Sequence, residues 1–305
     1  MSKIAAIDVG SNAMRMVVGK VSSNGQVDAM RRLRFPVRLG QDVFHKGYLQ
    51  EQSIQKTEAA FWQFRQEVDD CGVRQIRAVA TSAVRDAANR RLLVERVWNA
   101  SGVKIEVIDG LEEARLIHSA VMQRLDLRHK RVLLIDIGGG SVEVTLSRGA
   151  QMVSTASYDI GTVRLLELIR AKRVPKPMWM EVIADALAEV GKRIVQDLNG
   201  EGVQICVGTG GNIEEIGRLR QRLFKGESKR IVTSAELERL IENLARMTYT
   251  DRLKKLKLRP DRADVILPAA LILQLITQTA GVKQVYIPHV GLREGVLLNL
   301  AKGLT

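Results

Sequence analysis

Ile4-Ala5-Ala6-Ile7-Asp8-Val9-Gly10-Ser11-Asn12 and Val132-Leu133-Leu134-Ile135-Asp136-Ile137-Gly138-Gly139-Gly140-Ser141 carry one pattern twice. In each copy a short apolar run ends at an Asp, and a turn of glycine and small polar residues follows. A β-rich return comes next, Met14 to Val18 in the first copy and Val142 to Leu146 in the second. A brief unbroken apolar run bounded by turn residues reads as a buried strand, so each copy predicts a hairpin that exposes backbone at its turn. The repetition predicts two related halves.

Outward from each hairpin, a further strand is expected near Val27 to Leu39 and near Gln151 to Ala156. Helices and strands then alternate, which indicates an α/β fold. In the first half, Glu51 to Val68 and Asn89 to Ala100 read as helices, and Ile76 to Ala80 and Val103 to Ile108 as strands. Helix Leu111 to Leu125 leads to the polar segment Asp126 to Arg131, which marks a boundary between domains 1–125 and 126–305. In the second half, helices are expected at Val163 to Ala171, Met178 to Leu198, Ile213 to Leu223, Ala235 to Met247 and Ala263 to Thr279. Strands fall at Val203 to Val207 and Val285 to Ile287, before a terminal helix.

The chain has 305 residues, 46% hydrophobic and 27% charged, which suits two domains with cores of their own and no long disordered tract. Its net charge of +13 is spread over both halves and suits a polyanionic partner such as a phosphorylated metabolite, polyphosphate, nucleic acid or an acidic membrane. Aromatics at 4% leave few stacking platforms, against a dedicated nucleic-acid module. The N-terminus has no signal-peptide pattern. The apolar stretch Val265 to Ile276, interrupted by Pro268 and Gln274, is shorter than the roughly 20 residues of a membrane span. Cys71 and Cys206 form no close-spaced pair, and a cytoplasmic location is expected.

Glycines Gly138, Gly139 and Gly140 before Ser141 can turn several backbone N–H groups toward one anion, because glycine lacks a Cβ and reaches positive φ. A tight hairpin turn is the competing account. Asp136, at the strand end, would sit beside a phosphate and require a cation such as Mg²⁺ between them, or else serve only to cap the turn. Strand alternation puts Ser141, Glu143 and Thr145 on one face. Glu113 adds a carboxylate that can act as general base, unless it and Glu112 simply favour a helix N-terminus. The loop Gly208-Thr209-Gly210-Gly211-Asn212 is placed as an anion-binding helix start, and matches neither the Walker nor the Rossmann glycine pattern. Arg85, within Thr81 to Asp86, offers a guanidinium for a phosphate or for a neighbouring carboxylate. The four histidines lack metal-ligand spacing, Trp62, Trp98 and Trp179 read as core or groove residues, and the basic run Arg252 to Arg262 reads as a solvated loop.

Five stretches together resemble the Ppx/GppA phosphatase family, within the actin, Hsp70 and sugar kinase superfamily. They are Asp8 to Asn12, Ala80 to Ala87, Gly110 to Arg115, Asp136 to Glu143 and Gly291 to Gly295, in the family's order and spanning nearly the whole chain. The resemblance implies two ribonuclease-H-like (actin-like ATPase superfamily) domains with an interdomain active-site cleft, and a terminal helix, 292–304, that packs back on the first domain. Longer members continue into an all-helical domain, so the chain resembles the short form. The implied reaction is hydrolytic release of terminal phosphate from inorganic polyphosphate, or conversion of guanosine pentaphosphate (pppGpp) to the tetraphosphate.

By the same resemblance, Glu113 and Glu143 are catalytic, and Asp8, Asp136 and Glu143 hold metal. Ser11, Asn12, Arg15, Arg85, Gly138, Gly139, Gly140, Ser141, Gly208, Gly210 and Gly211 contact phosphate. The implied cofactor is Mg²⁺, or Mn²⁺ in its place, with a monovalent cation such as K⁺, and a homodimer inhibited by (p)ppGpp is implied as well. A non-catalytic polyphosphate or (p)ppGpp sensor and a sugar kinase are the competing classes. Retention of carboxylates beside a phosphate site argues against the sensor, since binding alone gains nothing from them.

Overall fold

The computed structural model describes residues 2–22, 26–224 and 228–303. The chain divides into two compact units, unit 1 being Met1–Gln123 with Val290–Thr305 and unit 2 being Arg124–His289.

Unit 1 begins with an antiparallel meander of β1 (Lys3–Val9), β2 (Met14–Val21) and β3 (Val27–Phe35). Helices α1 (Leu39–Lys46) and α2 (Glu51–Asp70) follow, then β4 (Gln75–Ala80), α3 (Ser82–Asp86), α4 (Arg90–Ser101), β5 (Ile105–Val107) and α5 (Gly110–Arg124). The sheet order is β3-β2-β1-β4-β5, with β4 parallel to β1 and β5 parallel to β4. Strand β1 is central, and six of its seven residues are buried, as its apolar run requires.

Unit 2 repeats the plan. Strands β6 (Arg131–Ile137), β7 (Val142–Arg148) and β8 (Gln151–Tyr158) form the meander, followed by α6 (Thr162–Ala171), α7 (Trp179–Ala186), α8 (Ala188–Leu198), β9 (Ile205–Thr209) and α9 (Gly211–Phe224). Next come β10 (Ile231–Thr233), α10 (Ser234–Arg246), α11 (Tyr249–Lys254), α12 (Pro260–Ala263), the buried α13 (Ile266–Thr279) and β11 (Gln284–Tyr286). The order is β10-β11-β9-β6-β7-β8, with β9 parallel to β6, the counterpart of β4 beside β1.

The chain then closes with α14 (Leu292–Lys302), which packs on β1, β2 and β4 of unit 1. A Cβ at Gly295 would lie 2.1 Å from the Leu116 carbonyl oxygen and 2.5 Å from its carbon. Helices α14 and α5 therefore touch backbone to backbone, one turn beyond Glu113. Gly295→Ala is expected to lower the thermal midpoint by roughly 5 °C. Overpacking of about 1–3 kcal/mol exceeds the helix-propensity gain of up to about 1 kcal/mol, and each kcal/mol moves the midpoint by about 2–4 °C at this size. An unchanged or higher midpoint in a melting curve would refute the close contact.

Several local expectations are corrected. The third strand stops at Phe35, because Pro36 cannot donate to a ladder, and Leu39 opens a helix instead. The single helix expected over Met178 to Leu198 is two, joined at Leu187 (φ −92°, ψ 1°), with Ile183, Leu187, Val190, Ile194 and Leu198 all in one apolar core. Trp62 and Trp98 are 55% and 53% exposed and not core residues. The stretch Arg252 to Arg262 is solvated only in part, since Lys254, Lys255, Lys257 and Arg259 are exposed while both end residues are buried. Arg252 donates to the carbonyls of Ala263 at 2.9 Å and Leu244 at 2.8 Å, which are helix-end acceptors able to receive a buried guanidinium. Among the described residues, no helix is long and apolar enough to cross a membrane.

Candidate functional site

In unit 2 the β6–β7 hairpin puts Asp136 directly opposite Glu143. The row extends on both sides, with Thr209 of β9 beside Asp136 and Ser157 of β8 beside Glu143. One line of side chains across the sheet thus reads hydroxyl, carboxylate, carboxylate, hydroxyl. The Thr209 hydroxyl donates to Asp136 Oδ1, and the Ser157 hydroxyl donates to Glu143 Oε1 at 2.8 Å. All but Ser157 are buried, and Asp136 and Glu143 present oxygens within 4.8 Å of one another. Like charges facing each other on adjacent strands destabilise a sheet, and burial sharpens the conflict. A pair of buried carboxylates with an all-oxygen donor set fits a hard divalent cation. Sequence reasoning missed Thr209 as a partner of Asp136 and Ser157 as a partner of Glu143. Once the strand order is known, the two-residue period of the strands identifies both.

The equivalent row in unit 1 has a different electrostatic character. Val79, Asp8, Arg15 and Arg34 lie side by side on β4, β1, β2 and β3. The residue opposite the Asp is now an arginine, and Arg15 Nη1 donates to Asp8 Oδ2 at 3.3 Å. Burial raises the Asp8 pKa above the usual carboxylate value, against the opposing fields of Arg15 and Arg293. Unit 1 therefore carries a hairpin whose carboxylate faces a cation where unit 2 has a second carboxylate.

Around that hairpin, Ser11 and Ser82 share a hydrogen bond of 2.9 Å, which ties the Asp8 to Asn12 loop to the start of α3. The Ser11 carbonyl accepts from Gly40 N–H at 2.8 Å and the Asn12 carbonyl from Arg38 N–H at 3.2 Å. Arg85, expected to grip phosphate, donates to the Ile108 carbonyl at 3.1 Å and lies 3.9 Å from Asp86. Its guanidinium is thus anchored to the segment leading into α5, whose first turn holds Glu112 and Glu113.

The structure separates these two neighbours. Glu112 pairs with Arg115 at 2.6 Å and approaches Arg77 at 3.6 Å, and these arginines lower its pKa. Its N–H donates to the Asp109 carboxylate at 2.8 Å, a capping contact. Glu112 is the structural member, and Glu113 is buried.

The triglycine loop of unit 2 does not use positive φ, and none of Gly138, Gly139 and Gly140 is in the left-handed region. Their backbone is instead approached closely by Gly161, where a Cβ would lie 2.3 Å from Gly140 N and 2.4 Å from Gly139 C. In the third loop it is Gly210 that takes positive φ (97°), with its missing Cβ 2.6 Å from the Ile137 carbonyl oxygen. Gly208 packs under Val285 and Ile213, and Gly211 opens α9. Asn212 Nδ2 donates to Thr162 Oγ1 at 3.1 Å, and buried Arg262 donates to Asn212 Oδ1. Neither Arg262 nor Thr162 carried a sequence signal for this role.

A strand-hairpin scaffold with glycine loops and buried carboxylates defines an enzyme of phosphate chemistry. A model of the Ppx/GppA phosphatase family matches residues 17–303, and the chain belongs to that family. It is 28% identical over 320 residues to exopolyphosphatase 2 of Mycobacterium tuberculosis (strain CDC 1551 / Oshkosh), with 99% of each chain covered. An exopolyphosphatase structure from Cytophaga hutchinsonii is similar with a TM-score of 0.89 and 23% identity, over 99% of this chain and 98% of that one. The Aquifex aeolicus Ppx/GppA family member gives 0.79 and 25%, over 100% and 99%. The expected α/β fold of two actin-like domains and the expected phosphohydrolase class are both met.

Proposed function

We propose that this phosphatase is a metal-dependent exopolyphosphatase, which hydrolyses the terminal phosphoanhydride of inorganic polyphosphate and releases orthophosphate. The observation that carries the reading is the Thr209, Asp136, Glu143, Ser157 row, in which two buried carboxylates are held face to face by flanking hydroxyls. The net charge of +13 suits a polyanionic chain, and the mycobacterial relative bears the exopolyphosphatase name.

Asp136 and Glu143 would hold a divalent cation such as Mg²⁺, which when bound offsets charge on the phosphoryl oxygens. Backbone N–H groups of the Gly138 to Ser141 loop receive the terminal phosphate, and Arg15 and Arg85 supply cationic charge. Glu113 takes a proton from the attacking water. The water oxygen bonds to the terminal phosphorus, the bridging P–O bond breaks, and the shortened polyphosphate leaves with the bridging oxygen.

Phosphate release from long-chain polyphosphate, in buffer treated with EDTA and then supplied with Mg²⁺, tests the reading. Release should vanish with the chelator and return with the cation. Turnover of guanosine pentaphosphate alone would transfer the assignment to that substrate, and absence of release from both would leave a binding protein.

A further inference from the structure

The turn Gly161-Thr162-Val163-Arg164, at the start of α6, has no role in the reading above. Yet it takes every carbonyl of the triglycine loop. Gly138 O accepts from Thr162 N–H at 3.1 Å and from the Thr162 hydroxyl at 3.3 Å. Gly139 O accepts from Val163 N–H at 2.7 Å and from Arg164 N–H at 3.2 Å. Gly140 O accepts from Arg164 Nε at 2.9 Å. A trans peptide points its N–H opposite to its C=O. Three captured carbonyls therefore turn the N–H groups of Gly139, Gly140 and Ser141 away from α6, toward the opposite side of the loop.

We infer that Arg164 and Gly161 are positioning residues that hold this loop in its anion-receiving orientation. The inference rests on the proposed phosphate chemistry of the site and deepens it. The first turn of α6 spends its N–H groups on loop carbonyls and leaves the anion to the loop's own amides. Arg164 completes the set at Gly140, beyond the reach of the helix backbone, and its guanidinium also lies 3.8 Å from Asp159. Without Arg164, the Gly140–Ser141 peptide can rotate and turn the Ser141 N–H away from the anion. Gly161 permits the approach, because a Cβ there would lie 2.3 Å from Gly140 N and 2.4 Å from Gly139 C. Position 161 is thus closed to every residue with a side chain unless the loop moves. A nest of amides usually requires left-handed residues. Here carbonyl capture achieves the same alignment in a loop with no positive φ.

The test compares Arg164→Gln, Arg164→Lys and Gly161→Ala with wild type by two readouts. One is kcat and KM for phosphate release from polyphosphate. The other is calorimetric binding of inorganic pyrophosphate, which does not depend on turnover. Arg164→Gln should weaken pyrophosphate binding and raise KM by about tenfold, the worth of one charge-assisted hydrogen bond, while kcat changes less than KM. Arg164→Lys, which keeps a cationic donor, should recover part of both. Gly161→Ala should lose pyrophosphate binding entirely. If Arg164→Gln binds pyrophosphate as wild type does, or Arg164→Lys is as impaired as Arg164→Gln, the inference fails. A wild type that binds pyrophosphate without releasing phosphate from any substrate would overturn the functional reading and leave the binding comparison decisive for the loop.

Discussion

Glu113→Gln leaves the protein folded and lowers kcat for phosphate release by about a thousandfold. General base catalysis contributes typically about 10²–10⁴ in rate, and an amide cannot take the proton of the attacking water. Gln keeps the shape and polar character of the buried side chain, so the thermal midpoint should move little. The adjacent residue provides an internal control. Glu112 holds Arg115 and Arg77 at the helix surface, and Glu112→Gln should cost at most about 1 kcal/mol of stability with kcat retained. Steady-state kinetics and melting curves on both variants are the measurement. Normal kcat in Glu113→Gln, or equal losses in the two, would remove Glu113 from the chemistry.

Glu143→Gln should move activity and stability in opposite directions. The variant removes one of two like charges that face each other across β6 and β7, while its amide oxygen still accepts from the Ser157 hydroxyl. The metal-free protein should therefore gain about 0.5–1 kcal/mol, in the range of a cross-strand charge pair. Without the second carboxylate, kcat/KM should fall by at least about a hundredfold. Melting curves with EDTA and with excess Mg²⁺ make the test sharper, since wild type should be stabilised by the cation and the variant should not. Loss of stability in EDTA together with a retained gain from Mg²⁺ would refute the pairing argument. The first hairpin already shows the alternative solution, with Arg15 where the second has Glu143.

Much of the fold was legible because its decisive signals are local. An apolar run, an Asp and a glycine-rich turn specify a hairpin through two-residue alternation and turn chemistry, and both occur within about 15 residues of sequence. Asp136 and Glu143 belong to one hairpin, so their facing positions follow from the same local rules. The errors arose where the signal is weak or non-local. Helices α1, α3, α11 and α12 span only four to eight residues, too short for periodicity to register. Arg252 and Arg262 read as solvated because a sequence does not display the carbonyl and amide acceptors that receive a buried guanidinium.

By itself, then, the sequence determined the duplicated hairpin, the α/β class and the family, and it supplied the carboxylates and glycines proposed to bear on phosphate. Tertiary structure alone decided what surrounds them. Thr209 reaches Asp136 from a strand 73 residues away, only because β9 lies beside β6 in one particular register. Gly161 closes on the triglycine loop, and Gly295 on Leu116, at distances set by the packing of whole elements. The physical division is between the short-range sterics of a turn, which a few consecutive residues specify, and the register and approach of distant strands and helices, which depend on the entire core.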